Sequence, residues 1–117
     1  VLAVTAWAQA PPVDSGAQMY KVYCAVCHGV DGSGGGPSAA ALKKPVPDLT
    51  LLSKKNAGQF PTLHVTQIIQ ADADIPSHGS REMPMWGDFF RSLKRDEPTV
   101  TLRIHNIVQY IASMQKK

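Results

Sequence analysis

Several features that would point to an enzyme, a nucleic-acid binder or a membrane protein are missing from these 117 residues. After the first ten residues no stretch approaches the run of about eighteen apolar residues that a membrane helix needs. The opening run has no cysteine for lipid attachment. No alternation of apolar and polar residues lasts long enough for a sheet, and no internal repeat suggests a solenoid. Twelve Lys and Arg against nine Asp and Glu give a net charge of +3. The basic residues form scattered groups, Lys43-Lys44, Lys54-Lys55, Arg91 with Lys94-Arg95, and Lys116-Lys117, with no aromatics between them. That pattern argues against nucleic acid and is compatible with steering toward an acidic protein surface. No general acid, base or nucleophile constellation stands out, so catalysis by this chain alone is not expected. With two cysteines, a closed zinc site would need two histidines, and His64, His78 and His105 are not paired at ligand spacing.

What is present describes one small domain. Apolar residues make up 44% and charged residues 18%, which suits a single soluble globular unit. A domain of this size buries a limited fraction of its surface, and an internal apolar cofactor would enlarge its core. Residues 1–10, Val1 to Ala10, form an uncharged run ending Ala8-Gln9-Ala10 before Pro11-Pro12. The run reads as the remnant of a secretory signal peptide, the alternative being an apolar arm that is retained. Residues 11–117 are read as one domain. It is expected to be exported to a bacterial periplasm and to be a soluble monomer, unless the arm is kept.

The helix signals are unevenly spread. Asp14-Ser15 caps a helix that should run through Tyr20 and Tyr23 into Cys24. From Gly29 to Gly36 five of eight residues are glycine, and Pro37, Pro45 and Pro47 follow, so a long loop with one turn near 38–42 is expected. Loops of that length in small domains are usually functional. A short helix is expected over Thr62 to Ala71 and one or two turns over Asp88 to Lys94. The clearest helix begins at Pro98 and carries Leu102, Ile104, Ile107, Val108, Ile111 and Met114. The fold class is therefore all-α with long loops.

The chemistry concentrates in Cys24-Ala25-Val26-Cys27-His28. Two thiols three apart at a helix end lie on one side, where each can add to a haem vinyl group. The next residue can then present its imidazole to the iron. A thioredoxin-like redox pair would need a preceding strand and parallel neighbours. A plain disulfide would leave His28 without a role. Covalent attachment of one haem c through Cys24 and Cys27, with His28 as iron ligand, is the expectation.

With those residues in place, the sequence resembles the class I monohaem cytochromes c, the bacterial periplasmic ones in particular. In that family a glycine and an aromatic precede the first cysteine by eight and four residues and pack on an aromatic of the C-terminal helix. Gly16, Tyr20 and Tyr110 match. Cys27-His28-Gly29-Val30-Asp31-Gly32-Ser33-Gly34 resembles the family's glycine-rich continuation, and Pro47-Asp48-Leu49-Thr50 its Pro-Asp-Leu-Thr turn. The resemblance implies three to five helices and long loops wrapped around one haem, with the Pro47 carbonyl orienting His28.

A low-spin electron carrier needs a second strong axial ligand, commonly Met when the potential is to be raised. Met19 and Met114 fall on expected helices and read as packing residues. Met83 and Met85 share the loop Arg81-Glu82-Met83-Pro84-Met85-Trp86-Gly87. Pro84 biases Met83 toward an extended backbone, and the family's ligand is the Met directly before a Pro. Met83 is therefore expected on the iron, with Met85 second and His78 a rival of a different kind. Trp86 is expected either to pack on the haem, or donate to a propionate, or to fill the core. His64 and His105 read as surface or packing residues. The function implied is one-electron transfer between respiratory or dehydrogenase partners. Alternatives are a dedicated subunit of a membrane oxidoreductase complex and a haem sensor or weak peroxidase in which the Met83 bond opens.

Overall fold

The computed structural model describes residues 15–70, 83, 86–93 and 96–117. The opening apolar run, His78 and Met85 lie outside the described residues, as does Asp14. Helix α1 (Gly16–Met19), a π turn (Tyr20–Cys24) and α2 (Ala25–His28) follow one another without a break. Short 3₁₀ turns at Ala39–Ala41, Leu49–Leu51 and Lys54–Asn56 punctuate the loop that follows. Three further helices are α3 (Thr62–Gln70), α4 (Trp86–Ser92) and α5 (Glu97–Ser113). Among the described residues there is no strand, and no helix is long and apolar enough to cross a membrane.

The element boundaries follow local chemistry. Ser15 caps α1, its Oγ accepting from the Gln18 N–H at 3.2 Å. Asp96 caps α5 by accepting from Thr99 N–H at 2.8 Å, and Pro98 sits in the first turn, where no donor is lost. Helix α4 begins two residues before the expected Asp88 and ends at Ser92. Its first residue, Trp86, belongs to an aromatic cluster with Phe89 and Phe90, at 5.4 and 6.1 Å between ring centroids, and with Tyr23 at 5.4 Å. This packing draws the helix back to Trp86.

The core lies where the ends of the domain meet. Gly16 lies against α5 so closely that a Cβ there would run into the Asn106 carbonyl oxygen and come within 3.1 Å of Tyr110 Cβ. One turn on, Tyr20 stacks at a tilt on Tyr110, ring centroids 5.2 Å apart. Tyr20, Phe90, Val100, Ile104, Ile107 and Val108 are almost wholly buried. Each such side chain contributes about 1.5–3 kcal/mol through removal from water.

On α5 the apolar series is not buried throughout. Leu102 is 54% exposed, whereas Arg103 is only 6% exposed. The buried stripe runs through Val100, Ile104, Ile107, Val108 and Ile111, and successive helix positions lie about 100° apart, which turns Leu102 outward. Arg103 falls on the side facing α4, and its guanidinium carbon lies 5.9 Å from the centre of the Phe90 ring, within cation–π range.

Candidate functional site

The Cys24 to His28 segment is held by backbone bonds on both sides. Before it, the π turn is closed by the Ala25 N–H donating to the Tyr20 carbonyl, one residue further than an α turn would reach. Such single wide turns often sit at functional positions. After it, the glycine-rich loop folds back along α2 and supplies a donor to each of its four carbonyls. Gly29 N–H donates to Ala25 O at 2.9 Å, Ser38 to Val26 O at 2.8 Å, Gly36 to Cys27 O at 3.1 Å and Gly34 to His28 O at 2.7 Å. The carbonyls left unsatisfied at a helix end are thus all paired. Gly29 makes the reversal at φ 82°, a backbone conformation that a side chain would strain.

Tyr20 links this loop to the helix crossing. Its hydroxyl donates to the Gly29 carbonyl at 2.8 Å in a buried setting. Burial above all, then the Cys24 thiol, pushes the Tyr20 hydroxyl well above its ordinary value, so it remains a neutral donor. Burial, with Cys27 alongside, likewise pushes the Cys24 thiol up to about 12. Both thiols are free, Cys24 buried and Cys27 half-buried. His28 is buried as well.

A second loop forms the adjoining wall. Asp48 caps the 49–51 turn, its Oδ1 accepting from the Thr50 N–H at 2.9 Å and the Thr50 hydroxyl at 2.6 Å. Those two bonds, the hydroxyl first, hold the Asp48 carboxyl below the usual carboxylate range. Leu49 N–H reaches Gly32 O at 2.7 Å, tying the two loops together. Gln115, just beyond α5, clamps the outer side. Its Nε2 donates to Leu49 O at 2.6 Å and its Oε1 accepts from Ser53 N–H at 2.9 Å.

Between these walls and α3, α4 and α5 lies a cavity of about 430 Å³. That volume is within the usual range for a cofactor site. Cys24, Cys27, His28, Pro47, Met83 and Trp86, the six residues singled out in the sequence, all line it. Apolar side chains make up most of the rest, among them Leu42, Leu49, Leu52, Val65, Ile68 and Ile69. Met83 is partly buried and packs against the core. Pro47 is exposed at the rim, and its carbonyl lies 3.5 Å from where a Cβ on Gly34 would stand, beside the loop that receives His28. Trp86 takes part in both the lining and the aromatic cluster. Met19 and Met114 pack in or against the core, away from the lining.

Among the described lining residues two basic side chains were not anticipated. His64 on α3 and Lys44 on the loop are exposed at their outer sides and also face the cavity. His64 reads in sequence as a surface residue because its neighbours on the helix give no hint of what α3 covers. Among the described residues no three of His, Cys, Asp and Glu come together as ligands for a bare metal ion. The donor set consists of two thiols and an imidazole on one segment and a thioether on another, around an apolar hollow. It fits a flat iron-bearing macrocycle held covalently, which needs those donors and an apolar enclosure.

Comparison with known proteins points the same way. The family described as cytochrome C oxidase, cbb3-type, subunit III matches residues 11–97. No curated protein and no solved structure matches the chain.

Proposed function

As the chain belongs to the family of cytochrome c oxidase, cbb3-type, subunit III, a cytochrome c family that implies haem c, we propose that it is a monohaem electron-transfer protein. It would take and give one electron at a time without turning over a substrate. The observation that carries this reading is the convergence of Cys24, Cys27, His28 and Met83 on one apolar cavity.

The haem, when bound, supplies a one-electron iron couple. The chain's residues do the rest. Cys24 and Cys27 would hold the group through thioether bonds. His28 offers its imidazole from a backbone whose every carbonyl is tied down, so the ligand is held in one orientation. Met83 offers its sulfur from a separate segment and raises the potential relative to a second histidine. His28 and Met83 would both be engaged in holding the group, and the apolar side chains of the lining would exclude water from around it. Pro47 helps to orient His28, and Trp86 packs as part of the wall. An exported, periplasmic location belongs to the same reading, because covalent haem attachment of this kind would go with it.

A second reading is favoured by the family's description, which names an oxidase subunit. In that reading the domain serves one membrane complex and does not diffuse between partners. Co-purification with an integral oxidoreductase from native membranes supports the subunit. Recovery of the domain alone, with docking to several redox proteins, supports the carrier.

The test of the main reading is spectroscopic. Haem should stay on the polypeptide after denaturation and organic extraction. The oxidised protein should show the far-red sulfur-to-iron absorption, retained in Met85→Leu and lost in Met83→Leu. Extractable haem, or none, overturns the proposal. The opposite pattern in the two variants moves the ligand to Met85.

A further inference from the structure

The start of α4 lies hard against the end of α3, and a single glycine makes that possible. Gly87, the second residue of α4, is buried. A Cβ added there would stand 2.7 Å from the carbonyl oxygen of Gln70, the last residue of α3, and 3.3 Å from Arg91 Nη1. Side-chain carbons do not pack that closely on an oxygen, and this oxygen belongs to backbone, which cannot swing aside. Conformation is not what selects glycine here. The φ of Gly87 lies outside the left-handed region that Gly29, Gly32, Gly34 and Gly58 occupy. Helix propensity argues the other way, since alanine is the better helix former. What the missing side chain provides is the close approach of the two helices. Trp86, next to Gly87, and Met83, four residues before it, both line the cavity, and α3 supplies Val65, Ile68 and Ile69 to the same lining. We propose that Gly87 is a positioning residue: by letting α4 close on the end of α3, it holds the Met83–Trp86 segment where the Met83 sulfur can serve as axial ligand. This rests on the haem reading given above.

The physical argument is steric. A methyl group at position 87 has to push the start of α4 away from Gln70. The rest of both helices is anchored, α3 through Val65 and Ile69 in the core and α4 through Phe90, which is 0% exposed. The displacement therefore falls on the first turn of α4 and the residues that lead into it. Ligand geometry tolerates about 0.5 Å of misplacement before function suffers. The two axial residues differ in how they meet such a shift. His28 adjoins Cys27, one of the two attachment points, and the carbonyls of its helix are all hydrogen-bonded. Met83 stands on a separate segment with no covalent attachment of its own, so its hold on the group depends on where that segment sits. Loss of the close approach at Gly87 should thus appear first as weaker sulfur ligation, with the His28 side unaffected.

The experiment compares the holoprotein of the wild type with Gly87→Ala, Gly87→Val, Ser15→Ala, Met83→Leu and the double variant Gly87→Ala with Met83→Leu. It reads the far-red band of the oxidised protein, the affinity of the ferrous protein for carbon monoxide, and helical circular dichroism. Gly87→Ala should weaken the far-red band and bind carbon monoxide about tenfold more tightly, with helical circular dichroism unchanged. Gly87→Val should lose the band. In the Met83→Leu background Gly87→Ala should leave carbon monoxide affinity unchanged, because no sulfur remains to be displaced. Ser15→Ala, which removes the cap of α1, should melt below the wild type yet keep its band and affinity. Wild-type band and affinity in Gly87→Ala overturn the proposal. An equal change in affinity without Met83 does so too. So does a collapse of helical circular dichroism in Gly87→Ala, because the glycine would then serve the fold alone. The underlying haem reading fails separately, by the absence of covalently retained haem in the wild type.

Discussion

At the residue scale, two buried polar groups carry distinct consequences. The Tyr20 hydroxyl is the link between the helix crossing and the first reversal of the glycine loop. Tyr20→Phe keeps the ring on Tyr110 and removes one of two donors to the Gly29 carbonyl, which still accepts from the Gly32 N–H at 3.1 Å, and should cost about 0.5–1.5 kcal/mol in chemical denaturation. Cys24 predicts a pH dependence. In the protein without haem its thiol is pushed from the ordinary 9.0 to about 12. A raised folded value means that the folded state holds the proton more tightly. The stabilising effect is therefore fully present below pH 9.0 and is lost as pH rises toward about 12. Unfolding midpoints of the haem-free protein should fall across that interval. The covalently loaded protein, whose Cys24 has become a thioether, should not show this component.

At the element scale, α5 shows how far a periodic pattern can be read. Replacing Ile104, 1% exposed, by Ala should cost about 2–5 kcal/mol through lost burial and the cavity left behind. Leu102→Gln, on the solvent side of the same helix, should leave the denaturation midpoint nearly unchanged, although both residues belong to the same apolar series in sequence. Cys24, Cys27, His28 and Met83 were nominated by the spacing of the Cys24–His28 segment and the Met83-Pro84 pair, Pro47 by the family resemblance and Trp86 by its place beside Met83, and the structure brings all six to one cavity. The all-helical class and the loop after His28 were also legible locally, from glycine and proline. Other features were not local. The extra residue in the π turn leaves the apolar spacing of Met19, Tyr20 and Tyr23 almost unchanged, so nothing in the pattern marks it. Arg103 reads as a surface cation until α4 brings Phe90 beneath it. His64 and Lys44 come to line the cavity only once the chain has folded around it.

At the scale of the whole molecule, the cavity of about 430 Å³ is large for a domain of 117 residues. Small domains have little apolar burial to spare, and whatever binds the folded form preferentially stabilises it. The double variant Cys24→Ser with Cys27→Ser, isolated without haem, should therefore melt well below the loaded protein. Its helical circular dichroism should decrease, most of all if α3 and α4 depend on the filled cavity for their packing. An unchanged melting temperature would mean that the helices close on one another without help.

The Gln115 clamp has a consequence for the timing of biosynthesis. Its partners Ser53 and Leu49 lie 62 and 66 positions earlier, and α1 closes on residues of α5. While the polypeptide is still being made, Cys24, Cys27 and His28 therefore emerge well before the elements that wall them in. The two thiols remain accessible during that interval and become enclosed once α5 docks. If haem is attached as proposed, attachment would be easiest on the half-finished molecule, and delaying the docking of α5 would lengthen the time available for it.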